Sequence, residues 1–155
     1  MTVSFTGGCG CGAVRYRLES APMFVNCCHC LDCQRQTGSA FVINALIETD
    51  RIEIIRGAPQ PVLLPTDSGR PHEVHRCPLC QTALWSDYGR RPGLRFLRVG
   101  TLDDPSALRP DAHIFTRTKR DWVGLPADAA VFEVFYDMKT QWPPESLTRL
   151  KAATG

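Results

Sequence analysis

Short alternating or apolar runs, separated by glycine and proline, dominate the chain and predict a predominantly β protein. Residues 13–18 alternate after a glycine turn, and further runs predict strands at 23–28, 40–47, 52–55, 82–86, 94–99 and 112–116. Helical patterns are few: residues 31–36 predict a short helix ended by Gly38, and residues 145–153 predict a C-terminal helix. No long helix separates successive strands, so we expect curled sheets rather than parallel βαβ units.

The length of 155 residues fits one domain spanning 1–155, and no repeat or linker divides it. Hydrophobic content of 43% and charged content of 22% are ordinary for a globular protein. No stretch approaches the roughly 20 apolar residues that span a bilayer. The first residues lack the basic and apolar regions of a signal peptide, so we expect a cytoplasmic protein without a membrane partner.

Eight cysteines are the unusual feature of the composition. Cytoplasmic thiols stay reduced, so metal ligation explains these cysteines better than disulfides. The formal charge of +2 counts every thiol as neutral, whereas one four-thiolate and one three-thiolate zinc site would lower it to −1. The charge therefore gives no support for nucleic-acid binding. We expect the arginines at 90, 91, 95 and 98 to form a solvated face.

The cysteines fall into groups at residues 9–11, 27–33 and 77–80, and two pairings are open. A C-x-x-C turn can point two sulfurs at one metal, and so can a C-x-C pair in an extended chain. A zinc ribbon would join Cys30 and Cys33 to Cys77 and Cys80, although its halves lie farther apart than the usual roughly 15–20 residues. The alternative has two sets: a four-cysteine set (Cys9, Cys11, Cys77, Cys80) and a cysteine trio (Cys28, Cys30, Cys33). Spacing alone gives the two pairings similar weight.

Four segments resemble motifs of the glutathione-dependent formaldehyde-activating enzyme family, which includes centromere protein V. They are residues 7–16, 28–35, 76–84 and 113–115, the last followed by Trp122, which we expect in the core. The chain departs from the family pattern at Gln81, where the family usually has glycine. Cys27 is an additional cysteine, and we expect a buried bystander because adjacent residues rarely ligate one metal.

The resemblance implies a mainly β, tent-like (Mss4-like) fold of small curled antiparallel sheets pinned by two zinc ions per chain, with a short C-terminal helix. It implies a structural zinc at the four-cysteine set and a catalytic zinc at the cysteine trio. Three protein ligands leave a fourth position open, as in catalytic zinc sites. The implied activity is that of a carbon–sulfur lyase, which forms or cleaves S-hydroxymethylglutathione from glutathione and formaldehyde.

Glutathione carries two carboxylates, so basic side chains are expected near the trio. Arg35 is the main candidate, and Arg117 and Lys119 are two further basic residues that follow the His113 motif. Gln34 could hydrogen-bond the peptide, and His113 is either a substrate contact or a satisfied, half-buried histidine. A second structural zinc, with His29, Asp32 or a distant histidine as fourth ligand, is the alternative for the trio. The chain would then be a zinc-stabilised interaction module, whereas a cleft beside the trio would favour the enzyme. The oligomeric state is left open.

Overall fold

The computed structural model describes residues 5–155, and the strands of this part of the chain form two sheets. The strands are β1 (Phe5–Gly8), β2 (Arg15–Leu18), β3 (Phe24–Cys28), β4 (Val42–Glu48), β5 (Ile52–Arg56), β6 (Gln60–Leu64), β7 (His72–Arg76), β8 (Ala83–Tyr88), β9 (Leu94–Arg98), β10 (Ala112–Ile114) and β11 (Ala130–Val131). The smaller sheet has the order β1-β2-β5, and the larger has the order β11-β10-β3-β4-β9-β8-β7-β6. The expectation of a mainly β fold is confirmed.

The helices are short, and two of the three lie close to the predicted positions. They are α1 (Leu31–Thr37), α2 (Met138–Gln141) and α3 (Pro144–Thr154). Gly38 ends α1 with φ of 65°, in the left-handed region that favours glycine. None of the helices within residues 5–155 is long and apolar enough to cross a membrane.

Strand pairing is antiparallel except around β10, which runs parallel to both β3 and β11. This parallel edge was not expected from the sequence, and neither were β1, β6, β7, β11 and α2. The parallel pairs join strands that are far apart in the chain, so no local pattern of residues records them. They bring His113 on β10 level with Cys27 on β3.

The large sheet separates two apolar clusters because successive side chains of a strand point to opposite faces. On one face, Ala45, Ile47 and Leu97 pack with Tyr16 of the smaller sheet and with Val14, which immediately precedes β2. On the other face, even-numbered positions of β3, β4 and β9 form a second cluster with the C-terminal segment, the residues after 130. These positions include Phe24, Cys28, Leu46 and Leu94. The second face, called here the cavity face, carries the candidate active site.

The C-terminal segment is fastened over the cavity face by polar contacts. Arg149 on α3 donates two hydrogen bonds of 2.7 Å to the Glu48 carboxylate. Ser146 donates to the Met23 carbonyl at 2.7 Å. The Tyr136 hydroxyl donates at 2.8 Å to Oδ1 of Asn26, a residue of β3 in the large sheet. These bonds hold the residues after 130 against the sheet, where they close one side of a cavity.

Candidate metal centres and active site

The four-cysteine set comes together in the structure, although its halves are separated by more than 60 residues. All four sulfurs lie within 4.8 Å of one another. The Cys9 and Cys11 sulfurs are 3.6 Å apart, and those of Cys11 and Cys77 are 3.8 Å apart. Zinc–sulfur bonds of about 2.3 Å in a tetrahedron place the sulfurs about 3.8 Å apart, so the set fits zinc. The ribbon arrangement, which would place Cys30 and Cys33 here, is not formed.

Backbone hydrogen bonds shape both turns of this set. The Val14 N–H donates to Cys9 Sγ at 3.2 Å, and the Gly10 N–H donates to Thr82 Oγ1 at 3.1 Å. Gln81, the departure from the family pattern, has φ of 66°, a conformation that favours glycine. Its side-chain amide donates to the Pro78 carbonyl at 3.2 Å, which helps to hold the turn.

Hydrogen bonds lower the pKa of two thiols of the four-cysteine set. The hydrogen bond from Thr82 lowers the pKa of Cys80 to about 5. Burial acts to raise the pKa of Cys9, but the Val14 N–H and neighbouring thiols outweigh burial and lower it. Because zinc binds thiolates, the low pKa of Cys80 favours metal binding at neutral pH.

The cysteine trio also comes together, at the junction of β3 and α1. Its three sulfurs lie within 4.8 Å of one another. The Cys33 N–H donates to Cys30 Sγ at 3.3 Å, so Cys30 also caps the helix. Hydrogen bonds from Cys28 and Cys33 lower the pKa of Cys30 to about 2, and the hydrogen bond to Cys30 raises the pKa of Cys28. Within residues 5–155 this group gathers three ligands and no fourth.

A cavity of about 810 Å³ opens beside all three sulfurs of the trio. Its volume lies within the range of sites that bind small molecules. The polar side chains of its wall come from the sheet and α1; they include Asn26, Gln36, Asn44, His72, Ser86 and Arg98. Three further arginines also line it, of which Arg70 and Arg117 are exposed and Arg91 is half-buried.

Arg98 is a buried cation that lines the cavity together with the trio cysteines. The residue is 7% exposed, and its guanidinium donates to Asn44 Oδ1 at 2.7 Å. Burial lowers the pKa of Arg98, and the trio thiols act in the opposite direction. No Arg98–carboxylate ion pair forms within residues 5–155. The sequence-based expectation of a solvated face at this position was therefore wrong, and no sequence signal distinguished Arg98 from its neighbouring arginines.

Cys27 and His29 point to the opposite side of β3 from the trio. His29 Nε2 lies 3.0 Å from His113 Nδ1 and 3.6 Å from Cys27 Sγ. His29 is fully buried, and burial lowers its pKa to about 4. The two rings are therefore neutral at pH 7 and share a hydrogen bond behind the trio.

Of the residues predicted to contact substrate, only Arg117 lines the cavity, and the others lie outside its lining. Gln34 donates its amide hydrogens to the carbonyls of His29 and Thr118, at 2.8 and 2.9 Å. Arg35 is exposed on α1, and His113 belongs to the buried histidine pair. Their roles toward substrate stay predictions. Trp122, which we expected in the core, is 75% exposed.

Comparison with known proteins agrees with the motif resemblance. The family model described as glutathione-dependent formaldehyde-activating enzyme matches residues 4–118. A Halomonas elongata protein named "Putative glutathione-dependent formaldehyde-activating enzyme" is 31% identical over 125 residues, covering 77% of this chain and 79% of the relative. A solved structure from Rhodobacter sphaeroides has 20% identity and a TM-score of 0.48, covering 68% of this chain and 91% of its own. The chain belongs to the glutathione-dependent formaldehyde-activating enzyme family.

Proposed function

We propose that the chain holds two zinc ions and acts as a carbon–sulfur lyase on glutathione and formaldehyde, or on a related glutathione adduct. The four-cysteine set would hold the structural ion and the cysteine trio the second. The observation that carries the proposal is that the three trio sulfurs border a large cavity and gather no fourth ligand among residues 5–155. A site with three protein ligands leaves one position for a substrate sulfur. The cytoplasm, where glutathione is abundant, remains the expected compartment.

Zinc bound at the trio would lower the pKa of a substrate thiol, so that thiolate is available at neutral pH. In the forward reaction the glutathione sulfur forms a bond to the carbonyl carbon, and the proton of the thiol ends on the carbonyl oxygen as a hydroxyl. The reverse reaction breaks the carbon–sulfur bond and returns that proton to sulfur. No oxidant or reductant is needed. The protein's own task is to position the partners and to control charge and protons.

Arg98 is suited to balance the charge of the trio. Three thiolates around a divalent ion carry a net charge of −1, and burying an unbalanced charge is costly. Arg98 lines the same cavity as the trio cysteines, and its guanidinium donates to Asn44 Oδ1 at 2.7 Å. We assign Arg98 as the counter-ion of the trio.

Asn26 and Asn44 are suited to bind the oxygen of the adduct. They lie opposite one another on β3 and β4, and both line the cavity. Tyr136 donates to Asn26 Oδ1 and Arg98 donates to Asn44 Oδ1, which leaves the two NH₂ groups to act as donors. Donors aimed at a developing oxyanion contribute on the order of 10²–10³ in kcat.

The exposed arginines of the cavity suit the carboxylates of glutathione better than Arg35 does. Arg70 and Arg117 combine contact with the cavity and exposure to solvent, as expected for side chains at its entrance. A guanidinium can bind a carboxylate through two parallel hydrogen bonds. The peptide would then lie with its charged ends at the entrance and its sulfur at the trio.

Nuclear magnetic resonance exchange measurements on glutathione and formaldehyde test the proposal. The zinc-loaded protein should raise the rate of interconversion with S-hydroxymethylglutathione above the spontaneous rate. Cys30→Ser should abolish the acceleration, while Cys27→Ser, a change in a cysteine on the opposite side of β3, serves as the matched control and should retain it. Equal rates with wild type and Cys30→Ser would refute the assignment of the trio.

A further inference from the structure

One wall of the cavity is apolar, and it starts beside the trio. The buried trio members Cys28 and Cys33 share one packed cluster with apolar side chains of the cavity wall. That wall is formed from two directions: by Leu46, Leu94 and Phe96 of the sheet, and by Met138, Trp142 and Leu150 of the C-terminal segment. Apolar surface is therefore available where a carbon atom bonded to the substrate sulfur would lie.

The C-terminal half of this wall lies outside the part of the chain that matches the family model. The match ends at residue 118, whereas Met138, Trp142 and Leu150 follow it. Phe135 adds a further apolar side chain to the cavity although it is 47% exposed to solvent. An exposed phenylalanine at the edge of an apolar wall suits contact with a ligand. The apolar wall therefore depends in part on residues beyond the matched region.

Formaldehyde cannot use such a wall. It adds one carbon and one oxygen to the glutathione sulfur, and glutathione itself is polar along its length. A cavity of about 810 Å³ with apolar side chains next to the reacting sulfurs has room for a larger substituent on that carbon. Burial of such a substituent would contribute binding energy in proportion to its apolar area.

We propose that the apolar wall is a subsite for the aldehyde substituent, and that the preferred substrates are glutathione thiohemiacetals of aldehydes with a bulky apolar group. This inference rests on the proposed function. The reaction is R–S–CH(OH)–R′ ⇌ R–SH + R′–CHO: the carbon–sulfur bond breaks, the hydroxyl proton passes to sulfur, and no net oxidation occurs. R′ occupies the apolar subsite in place of the hydrogen of formaldehyde.

Two paired comparisons test the subsite. The first compares the acceleration over the spontaneous rate for glutathione adducts of phenylacetaldehyde and of formaldehyde. We expect the acceleration to be about tenfold greater for the phenylacetaldehyde adduct, the scale on which hydrophobic pockets discriminate. The second compares the binding of S-(2-phenylethyl)glutathione and S-methylglutathione, two thioethers that require no catalysis. The phenylethyl compound should bind about tenfold more tightly.

Phe135→Ala should reduce both ratios several-fold, and Val134→Ala is its matched control. Val134 is a neighbouring, 43% exposed apolar residue that does not line the cavity, so its replacement should leave both ratios unchanged. Acceleration of the formaldehyde adduct alone, with equal binding of the two thioethers, would overturn the subsite and leave the proposed function standing. Failure to accelerate any adduct would overturn both.

Discussion

The ion pair that fastens the C-terminal helix gives a sharp test of how the cavity wall is held. Arg149→Met removes the guanidinium but keeps an unbranched side chain, and it leaves the Glu48 carboxylate without its two 2.7 Å hydrogen bonds. The side chain of Glu48 is only 9% exposed. Leu150, which lines the cavity, is the next residue in the helix. Loss of the pair should therefore loosen the wall as well as lower stability.

The expected magnitude follows from the burial of the two partners. Removing one partner of a buried pair costs about 3–5 kcal/mol. The Arg149 side chain is 22% exposed, and Arg51 stays 3.4 Å from the same carboxylate, so both screening and partial compensation reduce the loss. We expect a decrease of about 2–3 kcal/mol in the free energy of unfolding. For a chain of this length that corresponds to a decrease in Tm of roughly 4–12 °C.

Chemical denaturation of zinc-loaded wild type, Arg149→Met, Glu48→Gln and the double variant measures the pair by a double-mutant cycle. We expect a coupling of at least about 1 kcal/mol. Burial acts to raise the pKa of Glu48, but Arg149 outweighs this and the net shift is downward from 4.5. The contribution is therefore complete above pH 4.5 and is lost as the pH falls through the folded-state pKa. A coupling near zero at pH 7 would refute the structural role of the pair.

Four further substitutions test the metal sites and a buried histidine. Cys80→Ser should unfold or aggregate the protein, although Cys80 is exposed. Cys30→Ser should leave the protein folded with lower activity. An equal loss of circular dichroism signal in both variants would contradict the division into a structural and a catalytic zinc. Cys27→Ala should keep two zinc ions by elemental analysis, and loss of the more labile ion would mean that the trio is misassigned. Burial lowers the pKa of His72 from 6.5 to about 4. The unfolded state then binds a proton that the folded state does not, so stability should decrease by about 1.4 kcal/mol for each unit by which the pH falls between these values. His72→Gln should remove this pH dependence from denaturation curves.

The sequence predicted those parts of the fold that depend on local pattern. Alternating or apolar runs placed β2, β4 and β9 close to their observed bounds, and Gly38 ends α1 as expected. Strands β6 and β7 were not predicted. Strand β6 begins with Gln60-Pro61, and β7 is polar at four of its five positions, His72, Glu73, His75 and Arg76. Their place at the edge of the large sheet depends on partners, and no local apolar run records those.

The candidate site divides in the same way. Spacing identified the cysteines that could share a metal, because sulfurs at i and i+2 or i and i+3 can converge locally. The pairing of distant groups came from the family resemblance and now has geometric support, with all four sulfurs of the set within 4.8 Å. Asn26, Asn44 and Arg98 could not be predicted, since the register across β3, β4 and β9 brings them together. Arg35 was chosen for its nearness in sequence, but the helix directs it to solvent.

Calorimetry of glutathione binding to the zinc-loaded protein tests the central claim most directly, because the claim is that substrate sulfur reaches the trio. Glutathione and S-methylglutathione have the same charged groups and differ at sulfur, where a thioether is a much weaker ligand than a thiolate. We predict that glutathione binds with release of a proton and that S-methylglutathione binds far more weakly. Cys30→Ser should remove the difference. Equal affinity of wild type for the two compounds would show that the sulfur does not reach the trio, and no binding of either would favour the interaction module.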